Sequence, residues 1–213
     1  MPFSFIEWCY DGRAELVRRI ASGAEVPREK IFLGFTRHSP AIVTFGPAGP
    51  NGSIKGVGFV PKREFVKPFL SRYMGHIRSE YSDDYARRGL EILSETIYGP
   101  DGQDKVDFSR LATLELAKAH TWVNIQENRN VSLVFFEPPG VSFEVRAIAE
   151  IHAEGLYHSF VNAQHDVYHR PNMEKWNERS AYIFDIQEIY DNSATKRGFG
   201  TLIYRKPVPT GNS

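Results

Sequence analysis

The stretch LATLELAKAHTWVNIQENRNVSLVFF, residues 111–136, gathers Lys118, His120, Thr121 and Asn124 where an expected strand gives way to an expected helix. At such a corner, free backbone N–H groups and the positive end of the helix dipole point to one spot. A lysine adds a full charge, and hydroxyl, imidazole and amide groups add donors, so the corner could hold a phosphate. The same residues also suit an ordinary corner, with Thr121 padding the helix start and Lys118 in water. Spacing alone leaves both readings open.

A second group is His152, His158, His165 and His169. Within HDVYH, two imidazoles stand at i, i+4 on one helical face with Asp166 nearby, which could begin a zinc or iron site. A metal hydrolase would need a third ligand and a general base, and Asp166 stands where a zincin has glutamate. The plainer expectation is a covering helix in which Tyr157, Phe160, Val161 and Tyr168 pack and some histidines line a substrate mouth. Trp122 and Trp176 are expected in a core or an interface. Arg87, Arg88 and the run KREF are expected on solvated faces.

The chain that must position these groups has 213 residues, 26 basic and 26 acidic, with 41% hydrophobic and 13% aromatic content. That is enough for one well-cored domain. Balanced charge supplies no field to attract polyanions, so neither nucleic acid nor a membrane surface is expected as partner. The one cysteine, Cys9, allows no intramolecular disulfide. With no signal-like start and no apolar run of spanning length, a cytoplasmic protein is expected.

Periodicity and punctuation predict the elements. DGRAELVRRIASG reads as a helix, KIFLGF and PAIVTFG as strands, and Asn51-Gly52 as a hairpin turn. IKGVGFV reads as one strand whose glycines suggest a bulge or a close backbone approach. Residues 62–98 read as a helical insertion interrupted at Pro68 and Gly75. Then come a strand Phe108–Leu116, a helix His120–Asn128 and the strand VSLVFFE. SFEVRAIAEIH alternates Phe143, Val145, Ala147 and Ala149 against Glu144, Arg146, Ile148 and Glu150. Residues 156–205 give a helix up to Pro171 and the strands SAYIFDIQEIYD and GFGTLIYRK, before a loose PVPTGNS tail. Strands joined by short turns with helices between them predict a mainly β, α+β architecture: one antiparallel barrel or sheet with peripheral helices.

The run RLATLELAKAHTWVNIQENRNVSLVFFEPPGVSFEVRAIAEI resembles the FMN-binding split β-barrel family typified by pyridoxamine 5'-phosphate oxidase. Lys118 falls on that family's phosphate-binding lysine and Asn128-Arg129-Asn130 on its corner. VSLVFF falls on its apolar strand, and Glu144-Val145-Arg146 on its Gln-Val-Arg motif. Leu116 and Ala117 stand where the oxidase has Ser-Arg, and Glu144 replaces a glutamine that faces the flavin.

The resemblance implies a single split barrel, a homodimer with FMN at the subunit interface, and an oxidoreductase exchanging hydride with a small organic molecule. It assigns Lys118, with Arg110, His120 and Thr121, to the phosphate, and Asn124 is available one turn on. Thr113, Leu114 and Glu115 would lie along the flavin, with Glu144 near it; catalytic residues stay unassigned. A deazaflavin or heme could replace FMN. A non-catalytic binding or storage module on the same barrel, or the metal hydrolase, is the alternative.

Overall fold

A computed structural model describes residues 1–208; the expected loose tail lies mostly beyond them. The elements in chain order are α1 (Phe3–Ile6), α2 (Gly12–Ala21), α3 (Arg28–Thr36), β1 (Ala41–Thr44), β2 (Asn51–Ile54), β3 (Gly58–Pro61), α4 (Arg63–Ile77), α5 (Tyr85–Glu95) and α6 (Gly102–Lys105). Then follow β4 (Val106–Leu114), α7 (His120–Glu127), β5 (Asn130–Glu137), β6 (Val141–His152), α8 (Gly155–Asp166), β7 (Ala181–Asp191) and β8 (Thr201–Arg205). The expected α+β class with one antiparallel sheet and peripheral helices is the observed one.

The eight-stranded sheet runs β2-β1-β5-β6-β7-β4-β3, and every pair is antiparallel. One edge of β7 is divided, its first half pairing β4 and its second half β8. The two ends of the path, β2 and β3, are consecutive in the chain and joined only by Lys55–Val57. A link from Ile54 to Gly58 reaches at most about 14 Å. The sheet must therefore curl until its first and last strands nearly meet, which leaves a barrel with one open seam.

Alternation decides which side of the curl is dry. Phe143, Val145, Ala147 and Ala149 of β6 are buried with Val131, Leu133 and Phe135 of β5, as expected from the period of two. Phe5 closes this layer, its ring 5.3 Å from Phe143 and 6.0 Å from Phe135. Helices cover the rest. Val66, Phe69 and Tyr73 form the buried stripe of α4, and Tyr73 meets Phe160 of α8 at 5.7 Å. That stripe carries α4 unbroken through Pro68 and Gly75, where interruptions were expected. Residues 62–98 thus hold a helix pair, α4 against α8 and α5 against α2.

Three local expectations need correction. KIFLGF is helical, inside α3, not a strand; Pro27 supplies the extended residue before it and Gly34 is its only buried residue. Asn51 and Gly52 belong to β2, paired with Thr44 and Val43, and the turn lies at Gly46–Gly49 instead. IKGVGFV is split, because Lys55 and Val57 donate their N–H groups to Pro40 and His38 carbonyls rather than continuing a ladder.

Candidate functional site

The seam opens into a cleft of about 430 Å³. Its floor is the paired end of β4 and start of β3, with Ala112, Thr113 and Leu114 beside Gly56, Val57 and Gly58. Val161, Gln164, His165 and His169, from α8 and the turn after it, also line it, with Arg13, Phe35 and His38 from the N-terminal segment. The seam has no ladder of its own, so its polar groups are satisfied from these walls. Thr113 Oγ1 donates to Gly56 O at 2.6 Å, and Arg13 Nη1 donates to Val57 O at 3.1 Å. A Cβ on Gly58 would collide with Gln164 Oε1, so the close approach expected at these glycines occurs here.

The lining joins apolar Phe35, Ile54, Leu114 and Leu116 to the cations Arg13 and Lys55, and no acidic side chain lines it among the described residues. The acids stand one layer behind. Glu115 is buried and accepts from the N–H groups of Ala117 (2.9 Å) and Lys118 (2.8 Å) and from Tyr182 Oη (3.1 Å). Lys55 Nζ lies 3.1 Å from its second oxygen. Burial alone would raise the carboxyl's pKa; the two N–H groups and the ammonium outweigh it and hold the group below the usual range. Burial, with the Arg13 charge adding to it, pushes His38 down to about 3. The neutral ring then donates Nδ1–H to Gly34 O at 3.1 Å and keeps a lone pair on its other nitrogen.

The residues singled out in the sequence are distributed unevenly around this cleft. Thr113 and Leu114 line it, and Glu115 braces it from behind. Lys118 sits just outside, following the lining residue Ala117, in a left-handed conformation (φ 47°) with its ammonium 5.3 Å from the Trp122 ring centroid. His120 is exposed at the start of α7.

Thr121 and Asn124 turn away into the fold. Thr121 Oγ1 meets Asn51 Nδ2 and Ser53 Oγ, each at 2.9 Å. Asn124, wholly buried, accepts from Ala48 N–H (2.8 Å) and donates to Gly49 O (2.8 Å) and Thr44 Oγ1 (3.2 Å). Together they dock α7 onto the β1–β2 hairpin.

Arg110 is not brought to Lys118. Arg110 and Leu114 alone are about 13 Å apart along β4, and Arg110 reaches Tyr157 Oη at 3.4 Å. Glu144 lies on the outer sheet face, accepting from Ser132 Oγ (3.1 Å) and Arg146 Nε (2.9 Å). Exposed Val43, Phe136 and Ile148 share that face.

The histidines divide by role. His158 is buried with Nε2 3.0 Å from both the Trp176 and Arg179 carbonyls, a structural arrangement. His152 meets Glu150 at 3.3 Å. His165 and His169 line the cleft, their rings 4.5 Å apart. Among the described residues no three His, Cys, Asp or Glu side chains converge as metal ligands, and no helix is long and apolar enough to cross a membrane. Arg13, His38, Lys55 and Gln164 were missed in the sequence because they come from distant segments. Only the glycines flanking Val57 hinted at the place.

No family model and no curated protein sequence matches the chain. Among solved structures it is similar to HupZ of Group A Streptococcus, at 14% identity over 83% of this chain and 99% of that one, TM-score 0.45. It is similar to an F420 reductase, at 15% identity over 71% and 88% of the two chains, TM-score 0.40. A third similarity is to a pyridoxamine 5'-phosphate oxidase-related, FMN binding protein of Nostoc punctiforme, at 9% identity over 76% of each chain, TM-score 0.37.

Proposed function

We propose that the chain binds FMN and acts as an oxidoreductase on a small organic molecule, as a homodimer. One observation carries the reading: the cleft opens beside Thr113 and Leu114, the strand end that the sequence resemblance assigns to the flavin. Its volume lies within the range of small-molecule sites. Its lining suits a planar, negatively charged cofactor, because Phe35, Ile54, Leu114 and Leu116 offer apolar contact while Arg13 and Lys55 oppose a phosphate's charge.

Lys118, with His120 beside it, is the proposed phosphate contact at the rim, and Lys55 adds a cation from inside. Thr121 and Asn124 act by placing that rim, since their polar atoms are engaged within the fold. Bound flavin supplies hydride or electron chemistry; the protein binds and orients it and limits water. The outer face carrying Glu144, with exposed Val43, Phe136 and Ile148, is the surface proposed to meet a second copy.

The test is titration of the full chain with FMN, followed by flavin fluorescence. Lys118→Ala should weaken binding by about 1.5–3 kcal/mol, roughly 10- to 150-fold. Unchanged affinity would remove Lys118 as the anchor. Protein that takes up no flavin and instead purifies with stoichiometric zinc would overturn the flavin reading.

A further inference from the structure

We propose that His165 is the proton-exchanging group of the cleft, oriented by Asp166 so that its Nε2 serves a bound substrate. Asp166 is wholly buried at the end of α8, and one of its oxygens lies 2.8 Å from His165 Nδ1. Trp176 Nε1 (2.9 Å), the Asn172 N–H (3.0 Å) and Arg179 Nη1 (3.0 Å) hold the carboxylate in place. Burial alone would raise its pKa, yet these donors, with His165, bring it down to about 2. An ionised carboxylate only accepts hydrogen bonds, so His165 Nδ1 must carry the hydrogen. In the neutral ring that fixes the tautomer and leaves a lone pair on Nε2, which has no protein hydrogen-bond partner among the described residues. The side chain is 33% exposed and lines the cleft.

A purely structural role explains this poorly. Asp166 already has three other donors, and His158, two turns earlier on α8, shows what a structural imidazole looks like here, buried with its nitrogen against carbonyls. Arg179 pairs with the same oxygen that His165 uses, so the carboxylate already has a counter-charge and its part toward His165 is to orient the ring. From the other elements, Arg13, His38, Lys55 and Tyr98 face the same cleft, and none supplies a competing carboxylate. His169, pushed down by burial and by the neighbouring His165 ring, stays available as a neutral neighbour.

In the proposed step a substrate O–H or N–H bond breaks, its electron pair stays on the substrate, and an Nε2–H bond forms. Asp166 goes on accepting from the imidazolium's Nδ1–H, and Nε2 later returns the proton to water. Reversal protonates a substrate that is being reduced. The inference rests on the flavin reading only for the two-electron partner of this step.

The experiment uses the full chain without added cofactor, so the failure of the two readings can be told apart. Ring ¹⁵N shifts, followed to a pH at which the ring is neutral, should show His165 as the Nδ1–H tautomer, and Asp166→Asn should convert it to a mixture. Diethyl pyrocarbonate, mapped by mass spectrometry, should modify His165 at Nε2 at least as fast as exposed His120, while His158 stays unmodified. Because Asp166→Asn risks misfolding, Arg179→Gln provides a second variant that keeps the carboxylate, and should keep the tautomer. An Nε2–H tautomer in the wild-type chain, or a His165 that resists the reagent, would overturn the proposal whatever the flavin titration shows.

Discussion

Lys55 and Glu115 face each other at 3.1 Å, tying the seam loop to the end of β4. The same carboxylate holds the N–H groups of Ala117 and Lys118, so one buried charge fixes both the floor of the cleft and its rim. Glu115→Ala would leave the lysine without its partner and two N–H groups without an acceptor. Removing one member of such a pair costs roughly 3–5 kcal/mol, and urea denaturation should show it. Lys55→Met keeps the aliphatic stem and leaves Glu115 its donors from Ala117, Lys118 and Tyr182, so it is expected to cost less stability.

Asn124→Ala separates structural from ligand-binding roles on α7. Its side chain serves Ala48, Gly49 and Thr44, all within the fold. Loss of those partners should lower stability by about 1–3 kcal/mol. Lys118→Ala should do the reverse, leaving the denaturation midpoint nearly unchanged and weakening FMN. If Asn124→Ala kept wild-type stability, α7 would not be docked as described.

Acid should expose the contribution of Asp166. Its pKa is depressed in the folded chain from 3.8 to about 2. The stability it contributes is therefore fully present above the unfolded value and is lost as pH falls through the folded one. The expected loss is about 2 kcal/mol between roughly pH 4 and pH 2. Glu115, also depressed, acts in the same direction. Urea midpoints measured across this range should fall for the wild type and fall less for Asp166→Asn, which has no charge to lose.

Gly89→Ala tests the contact between α5 and the end of α8. Helix propensity alone would make alanine favourable by about 1 kcal/mol. Here the new Cβ would run into the backbone carbonyl of Val167, near the place where Tyr85 Oη donates to Asp166 O at 2.9 Å. Backbone has no rotamer to escape into, so a net loss of about 1–3 kcal/mol is expected. A rise in melting temperature would show that α5 can move away from α8.

What was legible in the sequence was what local pattern controls. The alternation of Phe143, Val145, Ala147 and Ala149 revealed the face of β6, and His165 and His169 were visible by spacing. KIFLGF misled because α3 buries almost nothing, leaving Phe32, Leu33 and Phe35 exposed; with no buried stripe, neither period is imprinted on it. Asn51-Gly52 misled because Asn51 serves Thr121 of α7, a tertiary use of a turn-forming residue. The cleft was largely hidden because Arg13, His38, Lys55 and Gln164 meet only after the sheet has curled.

The short link Lys55–Val57 also bears on the order of assembly. β2 pairs locally with β1, but that hairpin joins the sheet only through β5, and β3 only through β4, so neighbours in the chain are secured to the sheet through partners about 50 or more residues away. Pairings of such long range are slow to form, since the entropy of closing each loop precedes any contact that rewards it. The cleft would thus be among the last parts of the molecule to acquire its shape, and a chain arrested before that point would have most of its sheet and no cleft.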